Sequence, residues 1–275
     1  MTHRINSIDI NNQVDLGRSF EDGEQVQSIK INSADGTFYV SYPLDNGGTL
    51  IHYPQNLNNS NYDSITIKSV EDYGDLSFCL DVGIDMFGQR LWIADAGNTN
   101  VVALNLQDNT FLRVVEGITL PHSIIVNPID RSVFIKSFTS NTTQKITQIS
   151  KKGNILFEFE FPAKISSTTI TEDSTYLSKI PKSYTMDYDS NLNRLWFVSE
   201  SILYMIDLDT KQIVTQDLED VHLYNVSCVS VDKSSGNAFV IIDDTANWYV
   251  QQVYKDNNAV LGTAYILEQP VPYTI

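Results

Sequence analysis

The side chains with chemical capacity gather at one recurring place in this sequence of 275 residues. Five segments share an Asn or Asp column, and the fifth and fourth residues ahead of it form two further columns. One holds Gln27, Leu80, His122, Tyr184 and Ser227; the other holds Ser28, Asp81, Ser123, Thr185 and Cys228. Glu24 and Asn225 stand just upstream of the first and last segments. Carboxylate and amide oxygens are the donors a hard divalent cation such as Ca²⁺ takes. An imidazole exchanges protons near neutrality. Gln27, Asp81, Tyr184 and Asn225 would offer a small ligand a mixed set of hydrogen-bonding groups. Other chemistry lacks its signature: there is no G-x-S-x-G elbow, phosphate-binding loop, dinucleotide fingerprint or H-E-x-x-H pair. His3, His52 and His222 have no partner spacing, and Cys79 and Cys228 form no zinc pattern.

The elements that position these columns are read from an internal repeat. Ser28–Tyr42, Asp81–Asp95, Ser123–Ser137, Thr185–Ser199 and Cys228–Ile242 align without gaps. Their shared column is Asn32, Asp85, Asn127, Asp189 and Asp232, with apolar residues one and three places before it. Seven places after it stands an aromatic each time: Tyr39, Trp92, Phe134, Trp196 and Phe239. Alternating apolar positions bury one face of a strand. The Asx residue ends that strand, because its side chain can bond the backbone of the turn that follows. The aromatic on the next strand fills the wedge between neighbouring sheets. Asx columns lie 53, 42, 62 and 43 residues apart, close to the period of a four-stranded propeller blade. The longer intervals contain Gln55–Asp63 and a surface excursion over 162–182. The second blade is the most regular, with strands expected over Cys79–Asp85, Arg90–Ala96, Asn100–Leu106 and Thr110–Glu116. Helical periodicity is absent. The fold class is therefore all-β: a single β-propeller domain over 1–275, with five full four-stranded antiparallel blades and a partial sixth. Tyr273-Thr274-Ile275 matches Tyr184-Thr185-Met186 as the start of that sixth blade, and a hairpin within 1–20 is expected to complete it.

The run from Gly83 to Val102, GIDMFGQRLWIADAGNTNVV, resembles an NHL repeat. That pattern has a glycine-apolar-Asp start, an aromatic-V-A-D second strand and a Gly-Asn turn. The other four segments keep the first two strands and lose the Ala-Asp and Gly-Asn parts. The resemblance implies a propeller and is distantly shared with regucalcin-like lactonases and virginiamycin B lyase. By the lactonase likeness, Glu24 and Asp81 would hold a divalent cation, with Asn225 nearby. By the lyase likeness, Leu120-Pro121-His122-Ser123-Ile124 resembles a Pro-His-Gly-Ile element, which would make His122 a general base. Ser123 stands there in place of glycine. Fold alone does not carry these activities across.

Composition narrows the partners. Eighteen Lys and Arg against thirty-four Asp and Glu give a net charge of −16, so the surface repels phosphate backbones and no nucleic-acid partner is expected. No apolar run approaches membrane-spanning length, and residues 1–7 lack a secretory h-region. A soluble protein, cytoplasmic or particle-associated, is expected. Two function classes remain open. One is a non-catalytic propeller that binds a protein partner or self-assembles, possible forms including a virion or other particle component, and has no cofactor. The other is a metal-assisted lactonase or lyase at the central-channel mouth, using Ca²⁺ or another divalent cation.

Overall fold

The computed structural model describes residues 4–5, 8–9, 14–15, 18–19, 28–44, 47–53, 65–140, 142–162, 186–199, 202–217, 225–243, 248–253 and 265–267. Among them are five four-stranded antiparallel sheets, each taking its strands in chain order. Blade one comprises Ser28–Ile31, Phe38–Leu44, Gly47–Tyr53 and Ile65–Ile67. Blade two comprises Cys79–Asp85, Arg90–Asp95, Asn100–Asn105 and Phe111–Glu116. Blade three comprises Pro121–Val126, Val133–Ser140, Thr143–Ile149 and Ile155–Pro162. Blade four follows with Met186–Asp189, Arg194–Ser199, Ile202–Asp207 and Ile213–Asp217. Blade five holds Asn225–Asp232, Asn237–Asp243, Trp248–Val253 and Tyr265–Leu267. First strands of adjacent blades touch one another, which places them innermost.

Each Asx residue does what its column requires. Asn32 Oδ1 accepts the Ala34 N–H at 3.2 Å, Asp85 that of Gly88 at 2.7 Å and Asn127 that of Ile129 at 2.8 Å. Asp189 accepts from Asn191 at 2.9 Å and Asp232 from Ser234 at 2.9 Å. The side chain thus satisfies turn amides that no ladder reaches. These turns define one end of the barrel-like stack, here the turn end. The starts of the first strands define the other, the mouth end.

The aromatic column joins each blade to the next. Tyr39 packs with Val82, Leu91 and Ile93 of blade two. Trp92 packs with Ile124, Val133 and Ile135 of blade three. Phe134 meets Tyr188, Leu195 and Phe197 of blade four, and Trp196 meets Val229, Val231 and Val240 of blade five. These four rings are at most 1% exposed, whereas Phe239 of blade five is only half-buried. The complementary gap is in blade one. Ile29 and Ile31 occupy the positions that receive the ring in every other blade, yet they are 40% and 67% exposed.

Near the amino terminus, Arg4 pairs with Ser19 and Ile5 with Arg18, while Ile8 pairs with Asp15 and Asp9 with Val14. These pairings form two two-stranded sheets, and among the described residues neither joins a four-stranded blade; residues 273–275, all of Gln55–Asp63 and the 162–182 excursion after Pro162 lie outside the described residues. The sole helical element described is a short 3₁₀ turn, Ala96–Asn98. No helix among the described residues is long and apolar enough to cross a membrane.

If the rings are the joints, Trp92→Ala should cost about 3–5 kcal/mol, and Phe239→Ala about 1–2 kcal/mol because its site is half open. Urea unfolding of the two variants measures this; equal losses would show that burial of the column does not govern cohesion.

Candidate functional site

At the mouth end, Asp81 is 6% exposed and its carboxylate ties three blades together. Oδ1 accepts the Val82 N–H at 2.9 Å and the Ser28 hydroxyl of blade one at 2.5 Å. Oδ2 accepts the Ile124 N–H of blade three at 2.8 Å, and Lys30 Nζ lies 3.6 Å from Oδ1. A first strand has one edge with no ladder partner, and its amides need acceptors. Asp187 solves the same problem farther round. It accepts the Tyr188 N–H at 2.7 Å and, across the seam, the Val231 N–H at 2.7 Å and the Ser230 hydroxyl at 3.2 Å. In both cases the carboxylate takes the amide of the following residue and one in the next blade. Between these strands Gly83 is required by space, since a Cβ there would lie 2.5 Å from Ile124 Cγ2.

His122 is 2% exposed and its ring packs against Phe138 at 4.8 Å between centroids. Burial lowers its pKa well below the usual imidazole value, and the neighbouring Lys136 charge adds to that. A neutral imidazole at pH 7 follows. Lys136 itself is fully buried. Its Nζ crosses the seam to donate to the Val198 carbonyl at 2.6 Å, and it stands 5.9 and 5.8 Å from the ring centroids of Phe161 and Phe197. Burial pulls its pKa down to about 7. Sequence reading did not single out Lys136. The available signal was its column, where the other four blades carry Ser41, Ala94, Val198 and Ile241.

The Ala-Asp and Gly-Asn parts of blade two also acquire a role. Asp95, fully buried, accepts the Tyr73 hydroxyl at 2.7 Å, the Ser77 N–H at 2.6 Å and the Asn98 amide at 2.8 Å. Asn98 also donates to the Asp75 carbonyl at 2.8 Å. Together they latch the small hairpin of Ser69–Val70 and Gly74–Asp75 onto blade two. Burial raises the Asp95 pKa, and the three hydrogen bonds offset only part of that rise. Gly97 lets the hairpin close in, because a Cβ would sit 2.2 Å from Ser77 Oγ.

Of the residues singled out from sequence, Asp81 is therefore seated between blades, and His122 is buried against Phe138 of its own blade. Glu24, Gln27 and Tyr184 lie outside the described residues, and Asn225 is described only as a strand position paired with Asp243. Among the described residues, no group of three His, Cys, Asp or Glu side chains could hold a metal ion. Cys79 is buried as a free thiol whose pKa burial raises.

No protein-family model matches this chain, and no curated protein matches its sequence. In structure 963 solved chains match, a breadth that speaks for architecture rather than for one activity. The β-propeller domain of Cps50 (Swd1) from Myceliophteria thermophila aligns with a TM-score of 0.57 at 12% identity, over 95% of this chain and 73% of that one. A chain of the nidogen/laminin complex aligns with a TM-score of 0.60 at 11% identity, over 95% of this chain and 92% of that one. With the sheets described above, these likenesses establish a β-propeller.

Lys136 makes stability depend on pH with a definite sign. Its folded-state pKa is about 7, against 10.5 when solvated. Over that interval the unfolded chain binds the proton more tightly, so stability rises with pH. His122 acts in the same direction in more acidic solution. Cys79, whose thiol pKa burial raises, opposes this as pH approaches and passes its ordinary value of 9.0, and Tyr39, Tyr73 and Tyr188, pushed up to about 12, do so above the ordinary tyrosine value of 10.0. Calorimetry from about pH 6.5 to 8.5 should show a rising Tm, and Lys136→Met should flatten the rise. A slope untouched by that substitution would assign it to other groups.

Proposed function

We propose that this chain is a protein-binding propeller of NHL-like repeats, without a catalytic site or a resident cofactor, that works as an interaction or structural part of a larger assembly such as a virion or other particle. The observation that carries this reading is where the polar groups of the inner strands go. Asp81 and Asp187 bridge first strands, Lys136 crosses the seam between blades three and four, and His122 is buried against Phe138 of its own blade. Groups held this way stabilise the ring and are not presented to a substrate in the channel. Catalysis needs an acid, base or ligand within reach of the reacting atom.

Two further facts support it. The likeness to a chain of the nidogen/laminin complex is a likeness to a propeller seen with a partner. The net charge of −16 argues against a polyanion such as nucleic acid as that partner.

A displayed random peptide library selected on the immobilised propeller tests the reading. We expect related sequences to be enriched and to bind saturably at one site. Turnover of lactone or lyase substrates that His122→Ala abolishes would overturn it. So would a rise in Tm with Ca²⁺, since a cation that binds only the folded state stabilises it.

A further inference from the structure

We propose that the turn end of blades two and three is a docking surface for an acidic protein segment that also carries apolar side chains. The inference rests on the protein-binding reading and names the surface and the partner's chemistry.

Cations are scarce in this chain, yet five of them meet here: Arg90, Arg113, Arg131, Lys151 and Lys152. Antiparallel topology brings them together, because the turn after each first strand and the turn after each third strand lie at the same end. Arg90 opens the second strand of blade two, and its Nη1 donates across the seam to the Lys151 carbonyl at 2.5 Å. Arg131 lies in the Asx turn of blade three, reaching back to Asp85 with Nε 3.1 Å from Oδ2. Its guanidinium rests on Gly88, where a Cβ would lie 1.9 Å from Nη2. Arg113, on the outer strand of blade two, runs alongside Gly153, with Nη1 4.0 Å from the place a Cβ would take. Arg90 feels this crowding: burial and then the charges of Arg113 and Arg131 lower its pKa, with Asp85 opposing.

Among the described residues, Asp85 is the one carboxylate that pairs with a member of the cluster. Asp85 serves Arg131 and the Gly88 N–H. Asp108 is engaged by the Thr110 N–H at 3.0 Å and its hydroxyl at 2.7 Å, and Asp130 by the Ser132 N–H at 2.8 Å. Among the described residues, Arg90, Arg113, Lys151 and Lys152 form no ion pair. Like charges this close are mutually destabilising unless an anion arrives.

Apolar side chains are exposed at the same end. Phe87 and Ile129 hold equivalent places in the Asx turns of blades two and three and are 72% and 66% exposed. Ile155 and Leu156, directly after the Lys151–Gly153 turn, are 57% and 56% exposed. Blades four and five place Asn191 and Ser234 where Phe87 and Ile129 stand, so the feature is local and not a property of the repeat. Exposed aromatic and aliphatic anchors beside guanidinium groups are the composition of protein interfaces. Phosphate backbones would meet only a short basic patch broken by apolar groups, with an acidic molecule behind it. A second copy of the chain would bring two bodies of charge −16 together. An acidic, partly apolar segment satisfies both halves of the surface.

The test uses a fluorescein-labelled synthetic peptide of about 16 residues alternating Asp or Glu with Leu and Phe, enough to span two blades. Comparison probes are the same peptide with Asn and Gln for the acids, and a single-stranded oligonucleotide of matching charge. We expect saturable anisotropy change with the acidic peptide, weakened about tenfold or more by Lys151→Glu/Lys152→Glu and by raising salt from about 0.05 to 0.3 M. Phe87→Ser/Ile129→Ser should weaken it independently; all four positions are exposed, and circular dichroism checks that the variants fold. No binding, equal binding of the neutral peptide, tighter binding of the oligonucleotide, or dimerisation of the wild type that the Lys variants abolish would each overturn the proposal. Library-selected binders that keep their affinity for both double variants would overturn this surface while leaving the protein-binding reading intact. A library that yields no binders at all would overturn that reading itself.

Discussion

The structure depends on one constraint: every sheet must bury a whole face against a sheet that is rotated away from it. Two such faces diverge outward, and the gap between them has to be filled by something large and flat. One ring per blade does this, and it sits on the second strand, where the wedge has opened enough to admit it. Tyr39, Trp92, Phe134 and Trp196 fill successive gaps and are almost wholly buried. Their neighbours are apolar residues of the following sheet, aliphatic around Tyr39, Trp92 and Trp196 and partly aromatic around Phe134, so each ring belongs structurally to the blade after its own. Everything nearer the axis, including the spacing of the first strands, inherits its geometry from these four contacts.

Nearer the axis the problem changes from volume to hydrogen bonding. The innermost strands have a free edge, and its amides need acceptors. Gly83 marks how closely the strands of blades two and three approach. Two carboxylates, Asp81 and Asp187, take the edge amides of adjacent strands. Charge-assisted hydrogen bonds of this kind are among the stronger ones in proteins, and they fix the register of one blade against the next. Rings therefore set the distance between sheets, while carboxylates set their alignment.

The division explains what could be read from the amino-acid sequence. Asx turns and aromatic wedges are local events repeated in register, so a column of Asn32, Asp85, Asn127, Asp189 and Asp232 is visible without coordinates. Strand limits in blade two were legible to within a residue, Arg90–Asp95 against an expected Arg90–Ala96. The work of Asp81 was not legible, because its decisive partner, the Ile124 amide, is 43 residues away. An acidic residue before a strand looks the same whether it faces a cation or a neighbouring backbone. Lys136 was hidden for a similar reason: its acceptor on Val198 is a main-chain carbonyl, which has no sequence signature. The basic cluster was obscured by a net charge that averages over the whole chain. Its members come from four separate turns and strands that only the antiparallel returns bring together.

The rings also give the stack a direction. Each sheet offers an aromatic on one side and receives one on the other, so the two faces of a blade are unlike and complementary. Blade one offers Tyr39 but presents Ile29 and Ile31 largely to solvent, and blade five offers a half-covered Phe239. These unmatched faces are the head and tail of a heterologous series. An aromatic at one end and a branched aliphatic pair at the other are the two complementary halves of the contact that joins Trp196 to Val229 and Val231.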